Sequence, residues 1–189
     1  MPARFDLAPW EIAASAVVGI AASVAGLWVL PPAAAVIGGY MLFSVLLIVV
    51  VDRRQFLIPD ILSLPAIPLG LALSLMDHDP VASLTSRAAA AAAAALALYS
   101  LARLYRKARG FDGLGLGDVK LAAAAGAWTG FTGLPLVLLV ASVAALSAVL
   151  LRSLLVRSDR ATLTTAVPFG SFLAPAILAV WVFQQAGFY

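Results

Sequence analysis

The chain has no cysteine and one histidine, His78, in 189 residues. Without thiols there is neither a disulfide framework nor a thiolate metal site. A single histidine excludes a multi-histidine metal centre and gives a histidine-based triad little footing. His78 lies between two aspartates in "MDHDP" and reads as a solvated turn residue, so no metal and no cofactor are expected. Charge is also scarce, with Asp, Glu, Lys and Arg making up 11% of the residues, while 63% are hydrophobic. Mean hydropathy is +1.06. Soluble domains are roughly 45–50% apolar, so this composition excludes a water-soluble fold and places the chain in a lipid bilayer.

Uncharged apolar runs recur at Ile12–Leu30, Ala33–Val51, Ile61–Met76, Ala88–Ala102, Leu121–Phe131, Leu134–Leu151 and Ala166–Phe183. A span takes about 20 residues, so the runs predict seven crossings, two of them short. Lipid offers no hydrogen-bond partners to the backbone, and the runs are too long and uniformly apolar for barrel strands. The expected fold is all-α, a polytopic membrane helix bundle forming one integral membrane domain over 1–189, with no linker. The eight-alanine run Ala88–Ala95 reads as a thin packing helix, since small residues let helices approach closely in lipid. Pro65, Pro68, Pro168 and Pro175 are expected to kink the third and seventh spans.

The sequence pI of about 9.7 does not signal a nucleic-acid partner, because Lys and Arg also orient membrane proteins by staying cytoplasmic. With the N-terminus inside, eleven of the twelve cations fall on the inner side and only Arg87 outside. The C-terminal "QQAGFY" and the turn "MDHDP" are then outside. The lead "MPARFDLAPWE" carries two acids before a long apolar run, which reads as a retained span rather than a signal peptide.

Most of the nine acids have ordinary explanations. Asp60 follows Pro59 at the start of a helix, where an acid suits the positive end of the dipole. Asp77 and Asp79 are turn residues, Asp159 lies among arginines, and Asp6 and Glu11 precede the first span. Asp52 differs, because it ends the second span at the negative end of that helix's dipole. Arg53 and Arg54 offer one compensation, and an interfacial acid paired with them is one explanation of it. Asp118, in "GFDGLGLGDVKLAAAA", has an ordinary explanation too, as an N-cap. Depth strains that explanation. From Asp118 to Gly133 is about 16 residues, roughly 24 Å of helix against about 30 Å of hydrocarbon. Asp118 is therefore expected in a recess below the cytoplasmic surface, where an ionisable group is a functional candidate.

Both acids fall on the same side of the bilayer. Two carboxylates brought close hold one proton between them. Such a pair performs aspartic-protease chemistry, one carboxylate drawing a proton from water while the protonated partner polarises a peptide carbonyl. Gly115 and Gly117 let the backbone bend sharply and let a substrate backbone come near. A lone Gly-x-Gly-Asp is a weak pattern; a phosphate-binding loop would want a preceding strand and more glycine.

Several spaced motifs together resemble the type IV prepilin peptidases. "DRRQFLIPD" is similar to the family's first catalytic motif and supplies Asp52, Arg54, Ile58, Pro59 and Asp60. "GLGDVKL" is similar to the second and supplies Gly115, Gly117, Asp118, Lys120 and Leu121. "VPFGSFLAPA" is similar to the family's Pro-Phe-Gly segment, at Pro168, Phe169 and Gly170. The resemblance covers residues 33–189, leaving 1–32 as an additional first span. It implies that Asp52 and Asp118 cleave the short basic leader of prepilin-like precursors at the cytoplasmic face of a bacterial inner membrane, just before the precursor's apolar helix. A basic inner surface does not favour a basic leader, so recognition is expected to rest on that helix docking between spans. Arg54 and Lys120 are expected to hold a substrate acid, to tune the pair, or to serve only as positive-inside anchors.

Larger family members carry a cysteine-containing cytoplasmic domain and also methylate the new N-terminus. Only Pro31 and Pro32 separate the first two spans here, so neither methylation nor zinc is expected. The compact form is similar to the peptidases of tight-adherence, or Flp-type, pili. Presenilin and signal peptide peptidase also use Gly-Leu-Gly-Asp, but pair it with Tyr-Asp and Pro-Ala-Leu; here Val51 precedes Asp52 and Pro-Ala-Leu is absent. A non-catalytic transporter or assembly scaffold is the alternative from another class. Oligomeric state is not legible.

Overall fold

The structure is a computed structural model describing residues 7–110, 115–155 and 168–187. Its elements are α1 (Pro9–Gly26), α2 (Pro32–Gln55), α3 (Asp60–Ala72) with a 3-10 turn at Leu73–Met76, α4 (Pro80–Arg109), α5 (Leu116–Leu155) and α6 (Gly170–Gln185). No strand occurs among the described residues. The all-helical membrane architecture expected from composition is present. By length and apolar character α1, α2, α4 and α5 can cross a bilayer, whereas α3 with its turn and α6 are shorter apolar helices. Four helices of spanning length therefore stand where seven apolar runs were read. The difference arises because α3 has 13 residues and α6 has 16, both short of the usual span, and the fifth and sixth runs share the 40-residue α5.

α5 is not one rod. Gly130 sits at φ 64°, ψ −172°, a conformation that needs the absence of a Cβ, and divides it into arms of residues 116–129 and 131–155. The sequence had suggested a boundary at Gly133. A break leaves the last carbonyls of the first arm without intrahelical donors. Arg87 donates to the Trp128 carbonyl at 2.7 Å and the Gln184 side chain to the Thr129 carbonyl at 3.1 Å. A guanidinium also suits the negative end of that arm's dipole, and Arg87 is itself paired with Asp77 at 3.4 Å.

Small residues and two tryptophans set the packing. A Cβ on Gly126 would come within 2.5 Å of the Ala90–Ala91 backbone, so the alanine run does pack as a thin helix against the first arm of α5. Trp128 lies on Gly70, donates to the Ala66 carbonyl at 2.7 Å and meets Trp181 edge-on at 5.2 Å. α1 pairs with α2 along a seam where Gly19 faces Gly39 and Gly26 faces Ala35. Val17, Ile20, Leu146 and Leu154 are more than 60% exposed, an outer surface suited to lipid and not to water.

Three local expectations are corrected. The basic half of the loop read as "RLYRKARGFDGLGLGD" is helical: α4 runs to Arg109, with Arg106, Lys107 and Arg109 in its last turn, where cations complement the dipole. Pro168 precedes α6 instead of kinking it, as its missing N–H favours a position outside the hydrogen-bonded turns. Glu11 belongs to the first turn of α1 and is buried. Asp6, Asp159 and the loop residues 111–114 lie outside the described residues.

Because Arg87 closes the end of a broken helix, Arg87→Met should cost about 2 kcal/mol, the scale of a charged hydrogen bond whose acceptor stays buried. Thermal unfolding in detergent micelles measures it; an unchanged midpoint would mean the Trp128 carbonyl finds another donor.

Candidate active site

Asp52 lies in the last turn of α2, four residues before the C-cap Phe56, and is 4% exposed. A buried acid at the negative end of its own helix needs outside compensation. α6 provides it: the Ser171 backbone N–H donates to Asp52 Oδ2 at 2.6 Å and the Ser171 hydroxyl to the same atom at 2.8 Å. Ser171 is the second residue of α6, so the carboxylate sits at the positive end of a neighbouring helix, a natural anion site.

Asp118 is the third residue of α5, and its N–H donates to the Gly115 carbonyl at 3.1 Å. The side chain is 9% exposed, and Oδ1 is buried without a hydrogen-bond partner among the described residues. The ordinary N-cap explanation is not what the geometry shows. A capping carboxylate accepts from backbone N–H groups of the first turn, whereas this oxygen accepts from none.

Ile58 brings the acids together. α2 ends at Phe56, whose φ of 52° turns the chain sharply, and Pro59 is fully buried before α3 begins. Between them the Ile58 side chain wedges against two glycines. A Cβ on Gly117 would lie 2.8 Å from Ile58 Cβ, and one on Gly170 would lie 2.6 Å from Ile58 Cδ1 and 3.1 Å from Asp52 Oδ2. The residues preceding Asp118 and Ser171 therefore close on one side chain, which brings the starts of α5 and α6 to the end of α2. For Gly117, the close approach assigned in advance to a substrate backbone is made by Ile58. Gly115 is open, its nearest neighbour being Asp118 Oδ2 at 3.5 Å.

The two motif cations have partners inside the chain. Arg54 grips Glu11 of α1 through two contacts, at 2.6 and 3.2 Å, and Lys120 forms an ion pair with Asp60 of α3. Pro168 and Phe169 form the approach to α6, with Phe169 against the core. Every site residue named from sequence thus falls at this one end of the bundle. Sequence reading missed Ser171, the packing role of Ile58, and Glu11. The first follows Gly170 directly in "PFGS", and a serine opening a helix after glycine was the available signal. Among the described residues no three His, Cys, Asp or Glu side chains group to hold a metal ion.

Two buried carboxyls on separate helices, one doubly hydrogen-bonded and one with an oxygen that has no partner among the described residues, form a candidate paired-aspartate site in a helical membrane protein. The family model described as "Type IV leader peptidase family" matches residues 39–151. The chain belongs to that family. It is 34% identical over 144 residues to a prepilin leader peptidase/N-methyltransferase of Burkholderia pseudomallei (strain K96243), covering 76% of this chain and 45% of the relative. To the protein of that name from Pseudomonas putida it is 36% identical, over 74% of this chain and 46% of the other. For Escherichia coli (strain K12) the figures are 36%, 69% and 55%. The chain spans about half the length of these curated relatives. No solved structure matches it significantly.

The wedge gives the two glycines different fates. On the aspartic-peptidase reading that the two acids support, Gly117→Ala should lower the rate by about ten- to a hundredfold, the cost of displacing a reacting group by a fraction of an ångström to an ångström. Gly115→Ala should change it by less than about threefold, and Ile58→Ala added to Gly117→Ala should restore part of the loss. Steady-state rates on purified protein decide it; equal losses at both glycines would show that backbone freedom, not the Ile58 contact, is what matters.

Proposed function

We propose that the chain is a membrane-embedded aspartic endopeptidase that cleaves the leader peptide of type IV prepilin-like precursors. The observation that carries the reading is the convergence on Ile58 of Gly117, which precedes buried Asp118, and Gly170, which lies against Asp52 and precedes its donor Ser171. The names of the relatives support a prepilin leader as the substrate class; a short basic leader followed by an apolar helix is the form that the motif resemblance implies.

The hydrogen bonds support a division of roles. Asp52, which accepts two donors from Ser171, works as the base. Asp118, whose Oδ1 accepts none, holds the shared proton. Water gives a proton to Asp52 as its oxygen attacks the scissile carbonyl carbon, and Asp118 protonates the carbonyl oxygen. Collapse of the tetrahedral diol breaks the C–N bond, the proton on Asp52 passes to the leaving amine, and a diol proton returns to Asp118. Pro59, Gly115, Gly117, Pro168, Phe169 and Gly170 shape the site, and the paired Arg54, Lys120 and Asp60 set its charge.

The membrane is a bacterial inner membrane, with the N-terminus and the site on the cytoplasmic side and the C-terminus outside. The starts of α1, α3, α5 and α6 and the ends of α2 and α4 meet at the site end, as that topology requires. Seven crossings are reached when α3 with its turn and α6 also cross and the two arms of α5, divided by the kink at Gly130, cross separately.

Co-expression of a prepilin-like precursor with the wild type, Asp52→Asn and Asp118→Asn tests the reading. Cleavage by the wild type alone, at equal membrane levels of all three, is expected; cleavage by both variants would make the pair structural. The rate should peak at mildly acidic to neutral pH, because the pair works only with one proton: acid adds a second and alkali removes the first. A flat profile from about pH 4 to 9 would rule out the shared proton.

A further inference from the structure

A cleft of about 950 Å³ lies between α1, α2 and α6, and its lining is almost wholly apolar. Both α1 and α6 pack on α2 and leave this space between them. On α2 the lining includes Val45 and Val49, and a further step of three residues on the same face reaches Asp52. On α6 it includes Leu178 and Pro175, and a step of four reaches Ser171. Asp52 and Ser171 are the hydrogen-bonded pair of the active site. Two helix rows lining the cleft therefore run directly to the catalytic carboxylate. The third wall is α1, contributed through Ala14 and Val18 and tied at the same end by Glu11 to Arg54. The family match begins at residue 39, after this wall.

We propose that the cleft seats the apolar helix of the precursor, with the scissile bond at the Asp52 end. The inference rests on the leader-peptidase reading and adds where that substrate binds. Cleavage just before an apolar segment demands that the segment leave the carboxylate along the membrane direction, and on these rows the lining of the cleft ends about one helix turn from Asp52 and Ser171, at Val49 and Pro175. In lipid the segment must be helical to satisfy its own backbone, and an apolar groove recognises such a helix by shape, without polar contacts. From Leu42, another lining residue, to Asp52 is about ten residues, roughly 15 Å of helix. That length covers about half of a 30 Å hydrocarbon core. A lipid chain also fills an apolar cleft, but it gives no reason for both rows to end at the catalytic pair.

A photo-crosslinking residue placed at Val18, Leu46 or Ala179, in a chain carrying Asp118→Asn so that the precursor stays intact, should capture the precursor. At Leu146, on the outer face of α5, it should not. In the otherwise wild-type chain Ala14→Trp, at an exposed position away from the α1–α2 glycine seam, should raise KM at least about fivefold with kcat unchanged, and Leu146→Trp should alter neither. Capture of lipid alone at all three cleft positions, or an unchanged KM in Ala14→Trp, overturns the proposal while the leader-peptidase reading stands. Failure of the wild type to cleave any prepilin-like precursor overturns that reading and the cleft's assignment together.

Discussion

The structure turns on how a buried carboxylate at the wrong end of its helix is held. Asp52 closes α2, where exposed carbonyls repel an anion, and it is out of reach of bulk water. The start of α6 resolves both problems with one residue, since Ser171 offers a backbone N–H and a hydroxyl to the same oxygen. That contact dictates that the end of α2 and the start of α6 meet, although 119 residues separate the partners. It also dictates glycine at 170, where a Cβ would press on Asp52 Oδ2 and on Ile58. The sharp turn at Phe56 then becomes necessary, because only a tight exit from α2 returns Ile58 to that junction.

The far end of the bundle follows the same logic with opposite sign. The first arm of α5 carries Asp118 at its start and stops at Gly130, about 14 residues or roughly 21 Å later. Its last carbonyls face neighbouring helices and need donors from elsewhere, which Arg87 and Gln184 supply. Each end of this short arm is thus fixed by residues distant in the chain, and the depth of Asp118 is set by where the arm is allowed to stop.

Composition and acid placement made the membrane class and the two aspartates legible, because a charge in an apolar chain stands out against its surroundings. The partners of those acids did not stand out. Ser171 is one serine among many and lies 119 residues from its acceptor, so only the folded chain reveals it. Glu11 looked like a flanking acid because its cation is 43 residues away. Gly130 and Gly133 both sit in "TGFTG", and nothing local says which takes positive φ. The motif cations were read as holding a substrate acid, tuning the pair or serving as positive-inside anchors, and the fold gives them Glu11 and Asp60 as partners.

Those two ion pairs do not hold the bundle together by strength. The Lys120–Asp60 pair is partly exposed, and such pairs contribute at most about 1 kcal/mol. Their placement is more telling than their energy. Arg54 lies two residues from Asp52, and Lys120 lies two residues from Asp118. An uncompensated cation beside each acid would bias the pair towards two negative charges and strip the proton that the chemistry needs. Each cation is instead matched by an acid from a different helix, Glu11 from α1 and Asp60 from α3. On the proposed mechanism the proton is then placed by the donors of Ser171 and by the Asp118 oxygen that has no partner among the described residues. On that reading α1, which precedes the matched family segment, serves the site by matching Arg54 as well as by walling the cleft.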